Sequence, residues 1–328
     1  MTPDQESLVG LADQILRGRT SNERLAEVEA SDRRSDDRLW AELAAAGLVG
    51  IAVPEEYGGA GLGLTDICLL LEQHGRRLAL LPLWENAVAA LAVARFGTDE
   101  QQRTWLPDAA AGTARLTLVA DLGGGSGAVP SGMQADAAVV VSADDTVSLV
   151  ALQGLARTPV ETTTHALAAD VELAGAAAQP LDGDADWLRD VARVGLAAGQ
   201  LGNTDEGVRE AASYLSQREQ FGRPLAAFQA VSQQLGDAYC DVQAMRATLW
   251  QAVWALEQGG DARREVDVAA WWACDAGLRV QTAVQHLHGG IGADTTYPVH
   301  RRLLWALRTD ALLGGASRQL ARLGPALV

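Results

Sequence analysis

Lysine is absent from this chain: its 26 basic residues are all arginine, set against 42 acidic ones, for a formal net charge of -16 over 328 residues. That balance leaves no basic patch and excludes the electrostatic footprint of nucleic-acid binding. Long apolar runs are missing too. None reaches the roughly 18 residues that a membrane-spanning helix needs. Residues 1–17 alternate charged and apolar side chains, without the basic flank and apolar stretch of a signal peptide. The cytoplasm is the expected compartment. Three cysteines, Cys68, Cys240 and Cys274, are too few and too scattered for a disulfide frame or a metal site. Their apolar surroundings read as reduced core positions.

What is present describes an ordinary soluble protein: 48% hydrophobic and 21% charged residues, with length enough for more than one domain. The first third is helical in pattern, with amphipathic stretches at 39–48 and 99–105, the latter ended by Pro107. Around residue 116 the period changes to short β-branched runs at 116–119, 137–141, 146–152 and 168–173. From Trp187 the 3–4 spacing of a helix returns and repeats in three long stripes, which predicts a bundle.

Two segments carry chemistry. Arg218-Glu219-Gln220-Phe221-Gly222-Arg223-Pro224-Leu225, followed by Phe228-Gln229, puts a permanent cation with a five-donor fork at an inter-helix corner. Such a corner suits a pyrophosphate, with Phe221 over an adenine or ribose edge. Equally, Gly222 and Pro224 make a helix-breaking turn and Arg218 a solvated helix end. In His286-Leu287-His288-Gly289-Gly290-Ile291-Gly292, the glycines let a ligand approach the backbone N–H groups, or simply cap a helix around a core histidine. The two histidines are two positions apart, so a helix cannot aim both at one metal.

In this order, with Val53-Pro54-Glu55-Glu56-Tyr57-Gly58-Gly59-Ala60-Gly61 before them and Tyr297-Pro298 behind, the motifs resemble the acyl-CoA dehydrogenase family from about residue 39 onward. The resemblance implies a mainly α fold with a small β domain. An N-terminal helical domain would occupy 1–115, a reduced β domain 116–183 and a C-terminal four-helix bundle 184–328. It also implies FAD. The matching arginine and glutamine, Arg218 and Gln229, contact the FAD of a neighbouring subunit in that family. The stretch from His286 through Gly289 and Gly290 meets the adenosine-diphosphate part, and Phe221 belongs to the same frame. His286 stands where many members carry glutamine and keeps one hydrogen-bond donor.

The departures concern the base. The family's catalytic glutamate, counted without a gap from Tyr297-Pro298-Val299, falls on Leu313, and a one-residue slip lands on Gly314. The alternative position of some relatives, aligned through Arg193 and Gly199-Gln200-Leu201-Gly202, is Ala192. None accepts a proton. Asp310 is the acid nearest in sequence, a turn away and with a shorter side chain than the glutamate it would replace. The loop that meets the flavin in relatives reads Ala120-Asp121-Leu122-Gly123-Gly124-Gly125-Ser126-Gly127, with alanine for threonine.

No catalytic residue is therefore expected in this chain. The resemblance to short, glutamate-less subunits of actinobacterial α2β2 dehydrogenases implies a heteromer that desaturates an acyl-CoA, such as a steroid side-chain thioester. The FAD would be shared with a glutamate-bearing partner, which would hold most of the substrate. Two other readings stay open: a homomeric acyl-CoA oxidoreductase with Asp310 as base, and a flavin-free scaffold or acyl-CoA-binding protein. The charged stretch 31–38 reads as solvated linker. His300-Arg301-Arg302 reads as a capped helix start or a surface for an acidic partner or CoA phosphates.

Overall fold

The computed structural model describes residues 1–124 and 127–324. Its N-terminal helices are set by their caps. Thr2 and Gln5 form a capping box on α1 (Pro3–Arg19), Ser21 caps α2 (Asn22–Ala30), and Asp36 caps α3 (Asp37–Ala45). The apolar helices α4 (Leu64–Arg77) and α5 (Leu83–Phe96) follow, then α6 (Asp99–Ala110), which opens on a second capping box from Thr98 and Gln101. Pro107 lies inside α6 rather than ending it; the helix runs one more turn with a single backbone donor lost.

The strands β1 (Leu116–Val119), β2 (Ala137–Val141), β3 (Val147–Ala151), β4 (Arg157–Glu161), β5 (Leu167–Val171) and β6 (Ala178–Leu181) make two small sheets. One has the order β1-β2-β3-β6, parallel only between β1 and β2; the other pairs β4 with β5. Alternation along β2 explains how they pack. Ala137, Val139 and Val141 join the main core, while Ala138 packs with Val129, Val150 and Ala169 in a second, smaller core.

The bundle consists of α7 (Ala185–Gln217), α8 (Gln229–Glu257), α9 (Arg263–Leu287), α10 (His300–Leu313) and α11 (Ala316–Leu323). A two-residue hairpin, β7 (Glu219–Gln220) and β8 (Arg223–Pro224), joins α7 to α8. Helices α4 and α7 pack backbone to backbone: a Cβ on Gly75 would overlap the Gly199 carbonyl, and one on Gly202 the Glu72 carbonyl. Arg76 and Arg246 close over that contact by pairing with Glu72 at 2.7 and 2.8 Å. Among the described residues no helix is long and apolar enough to cross a membrane.

Three further sequence readings change here. Residues 31–38 are not a plain solvated linker, because Asp36 is buried, caps α3 and takes a two-point bond from Arg24 at 2.7 and 2.8 Å. Arg301 and Arg302 are buried and spent internally, on Glu29 and Glu210 respectively. They offer no surface to a partner or to CoA. Cys240 is exposed on α8, whereas Cys68 and Cys274 are core residues.

Candidate functional site

Successive long helices joined by short links run up and down, so the C-termini of α7 and α9 share one end of the bundle with the N-terminus of α8. A direct contact fixes this. The Tyr214 ring near the end of α7 stacks on His288 just past α9, with centroids 4.7 Å apart and planes 21° from parallel. Tyr297 leans on both rings. The His288 ring is buried, and its Nδ1 donates to the Val284 carbonyl at 2.7 Å. His288 is therefore a brace rather than a ligand group. Tyr214, which no spacing in the sequence links to His288, is its counterpart.

Around that brace the expected cofactor residues stand in the open. Arg218, Phe221 and Gln229 are exposed, as are His286, Gly289 and Gly290. Among the described residues nothing hydrogen-bonds or ion-pairs with the side chains of Arg218, Gln229 or His286. Phe221 is 91% exposed in left-handed backbone, with a φ of 55°. A bulky side chain held that way, with only an edge-on ring contact to Phe228 at 6.1 Å between centroids, is a conformation worth explaining. Its neighbour is better anchored: Arg223 lies over the Phe228 ring, 4.0 Å from the centroid. An unpaired fork, two further donor groups, an uncovered ring and two exposed glycines at one bundle end fit the phosphates and adenosine of a dinucleotide. They face outward, away from this chain's own core.

The positions where the sequence count places the family's base are closed. Leu313 is fully buried. Gly314 follows in left-handed conformation, φ 82°, and a Cβ there would overlap the Gly123 carbonyl. Across the same contact the Gly124 N–H donates to the Leu312 carbonyl at 3.1 Å, and a Cβ on Gly124 would overlap the Ala311 carbonyl. So the loop that meets the flavin in relatives lies backbone to backbone on the end of α10; of that loop, Gly125 and Ser126 lie outside the described residues. Ala192 is equally enclosed, its carbonyl accepting from the Trp84 indole at 3.0 Å. Gln319 of α11 clasps the two places together: it accepts from Arg193 Nη2 at 2.5 Å and donates to the Leu313 carbonyl. The fully buried Arg193 also pairs with Asp267 at 2.5 Å.

Asp310 sits at neither place. Burial raises its carboxyl above the ordinary aspartate range, and the Cys274 thiol donates to it, which offsets part of that shift. Among the described residues no group of three or more His, Cys, Asp or Glu side chains is arranged to hold a metal ion.

Known proteins carry the same architecture. The family profile described as acyl-CoA dehydrogenase, C-terminal domain, matches residues 185–325, and that described as acyl-CoA dehydrogenase, N-terminal domain, matches 2–113. The acyl-CoA dehydrogenase FadE27 of Mycobacterium tuberculosis is 37% identical over 360 residues, covering 98% of this chain and 96% of the relative. Among solved structures, a chain of the Tcur3481-Tcur3483 steroid ACAD G363A variant superposes with a TM-score of 0.93 at 43% identity, covering 99% of this chain and 97% of that one. A chain of the ChsE4-ChsE5 complex from Mycobacterium tuberculosis gives 0.92 at 36% identity, covering 100% and 98%.

Proposed function

The chain belongs to the acyl-CoA dehydrogenase family, and from that premise we propose that it is the base-less subunit of a heteromeric, FAD-dependent enzyme that desaturates an acyl-CoA. Its role is to complete the cofactor site of a glutamate-bearing partner. Similarity to chains of a steroid ACAD and of a two-protein complex supports both the partner and a steroid side-chain thioester as substrate.

One observation carries the reading: the expected base positions are buried and closed, while Arg218, Gln229 and His286 stand exposed around the brace, their side chains unpaired among the described residues. Bound FAD would supply the acceptor for the hydride that leaves the acyl β carbon. Arg218 holds a pyrophosphate through its fork, a permanent charge that needs no proton bookkeeping. Gln229 and His286 add hydrogen bonds, Gly289 and Gly290 admit the ligand to backbone N–H groups, and Phe221 covers the adenosine edge. The α proton is taken elsewhere, by a carboxylate this chain lacks, since a base must lie within hydrogen-bond reach of the carbon it serves.

The test is co-expression with a glutamate-bearing acyl-CoA dehydrogenase subunit, reading flavin absorbance per assembled pair. The wild-type complex is expected to purify yellow. Arg218→Ala is expected to assemble normally but lose flavin on gel filtration, with affinity reduced about tenfold or more. A chain that binds FAD alone and turns over an acyl-CoA would overturn the proposal in favour of a homomeric enzyme. A complex that stays colourless would overturn it in favour of a flavin-free scaffold.

A further inference from the structure

The two arms of the proposed cofactor site belong to different helices, and each needs an anchor. Arg218 caps α7: its N–H donates to the Tyr214 carbonyl at 2.8 Å, and its carbonyl accepts from the Leu225 N–H at 2.8 Å. Those bonds tie Arg218 to the last turn of α7, so where that turn goes the arginine goes. The turn has little packing of its own. From residue 212 to 217 only Leu215 is buried, with Tyr214 half-buried beside it. Helix ends with so few packed side chains fray.

The second arm, Gly289 and Gly290, is more open still. Gly289 takes a φ of 64°, and a side chain added at either glycine would meet nothing within 4 Å. Glycine loses the most freedom on ordering, so this backbone needs a fixed residue on each side. Downstream, Gln285 Nε2 donates to the Gly292 carbonyl at 3.0 Å. Upstream stands His288, its ring folded back onto its own helix. The Tyr214–His288 stack spans the two arms, and Tyr297 leans on these rings with centroids 6.5 and 5.5 Å away. The Tyr214 hydroxyl adds little, since it reaches the His288 carbonyl only at 3.5 Å. The ring faces carry the contact. Tyr297 is in turn steadied from α2: Asn22 Nδ2 donates to the Thr296 carbonyl at 3.1 Å, and Arg301 forks onto Glu29.

Resting on the cofactor reading above, we propose that Tyr214 is a positioning residue for the dinucleotide. Its stack on His288 holds Arg218 and the Gly289-Gly290 backbone in one fixed relation before the ligand arrives. Tyr214 acts through these neighbours and not as a ligand group. What it contributes is preorganisation: less of the binding energy goes into ordering a frayed helix end and an open glycine loop. The ring face is required and the hydroxyl is dispensable.

The measurement is FAD affinity of the co-expressed complex, stripped of flavin and titrated back by fluorescence. Tyr214→Leu keeps an apolar side chain without a ring and is expected to weaken binding about three- to tenfold. Tyr214→Phe keeps the face and should stay within about twofold of wild type. In an Arg218→Ala background the loss from Tyr214→Leu should shrink by about twofold or more, because a positioning residue works through the group it positions. Amide exchange of the stripped complex gives a second readout: Tyr214→Leu should speed exchange in 215–220 and in 289–292 together. If that variant does not assemble, Tyr297→Leu loosens the same brace and should weaken binding about two- to fourfold. Wild-type affinity in Tyr214→Leu, a loss of equal size with and without Arg218, or faster exchange confined to 215–220 would overturn the positioning role alone. Wild-type affinity in Arg218→Ala would overturn the cofactor reading and this role with it.

Discussion

His74 shows how one residue ties stability to pH. It is buried against the Trp305 ring and donates from Nε2 to the Ala79 carbonyl at 2.7 Å. Burial depresses its pKa from 6.5 to about 4. The unfolded chain therefore takes up a proton below about pH 6.5, while the folded one refuses it until about pH 4. Stability is lost as pH falls through that window and is unaffected above it. Urea midpoints at pH 7 and pH 5 check this: wild type should fall relative to His74→Gln, and parallel curves would contradict it. Arg218→Ala, at an exposed position, should change the unfolding free energy at pH 7 by no more than about 0.5 kcal/mol. At this scale the sequence showed residue types but not pairings. Arg301, Arg302 and Arg218 look alike in a string of letters; only the fold brings Glu29 and Glu210 to the first two and leaves the third free.

At the scale of elements, the stripes of α7, α8 and α9 and the first strands were legible because their periods are regular and their faces buried. The helices α1 and α2 fall inside the helical domain expected over 1–115 but were not resolved individually: their charge-rich sequences bury only a few side chains each, so capping carries more of the signal than the apolar stripe. Strands β4 and β6 were missed because they are mostly exposed edges without alternation. Close backbone approach was equally invisible. Gly75→Ala should force α4 from α7 and cost about 1–3 kcal/mol, as an overpacked core does. Gly124→Ala should do the same where the loop meets α10. Chemical denaturation measures both, and a neutral result at Gly124 would mean that the loop does not rest on α10.

For the molecule as a whole, the family motifs made the fold readable and pointed to the residues proposed for the cofactor, since turn glycines and the Arg-to-Gln corner survive as letters. What letters could not show is direction: the residues proposed for the cofactor are exposed at the bundle end, and the expected place of the base is shut by backbone contact and the Gln319 clasp. Under the proposed function, a subunit built this way lends binding and takes its chemistry from elsewhere. Asp310→Asn should accordingly leave turnover of the complex unchanged in a steady-state assay. The most direct measurement is anaerobic bleaching of the flavin by acyl-CoA, in a complex whose partner has its catalytic glutamate changed to glutamine. The account predicts a yellow complex that does not bleach. Bleaching that persists there, and disappears when Asp310→Asn is added in this chain, would contradict it.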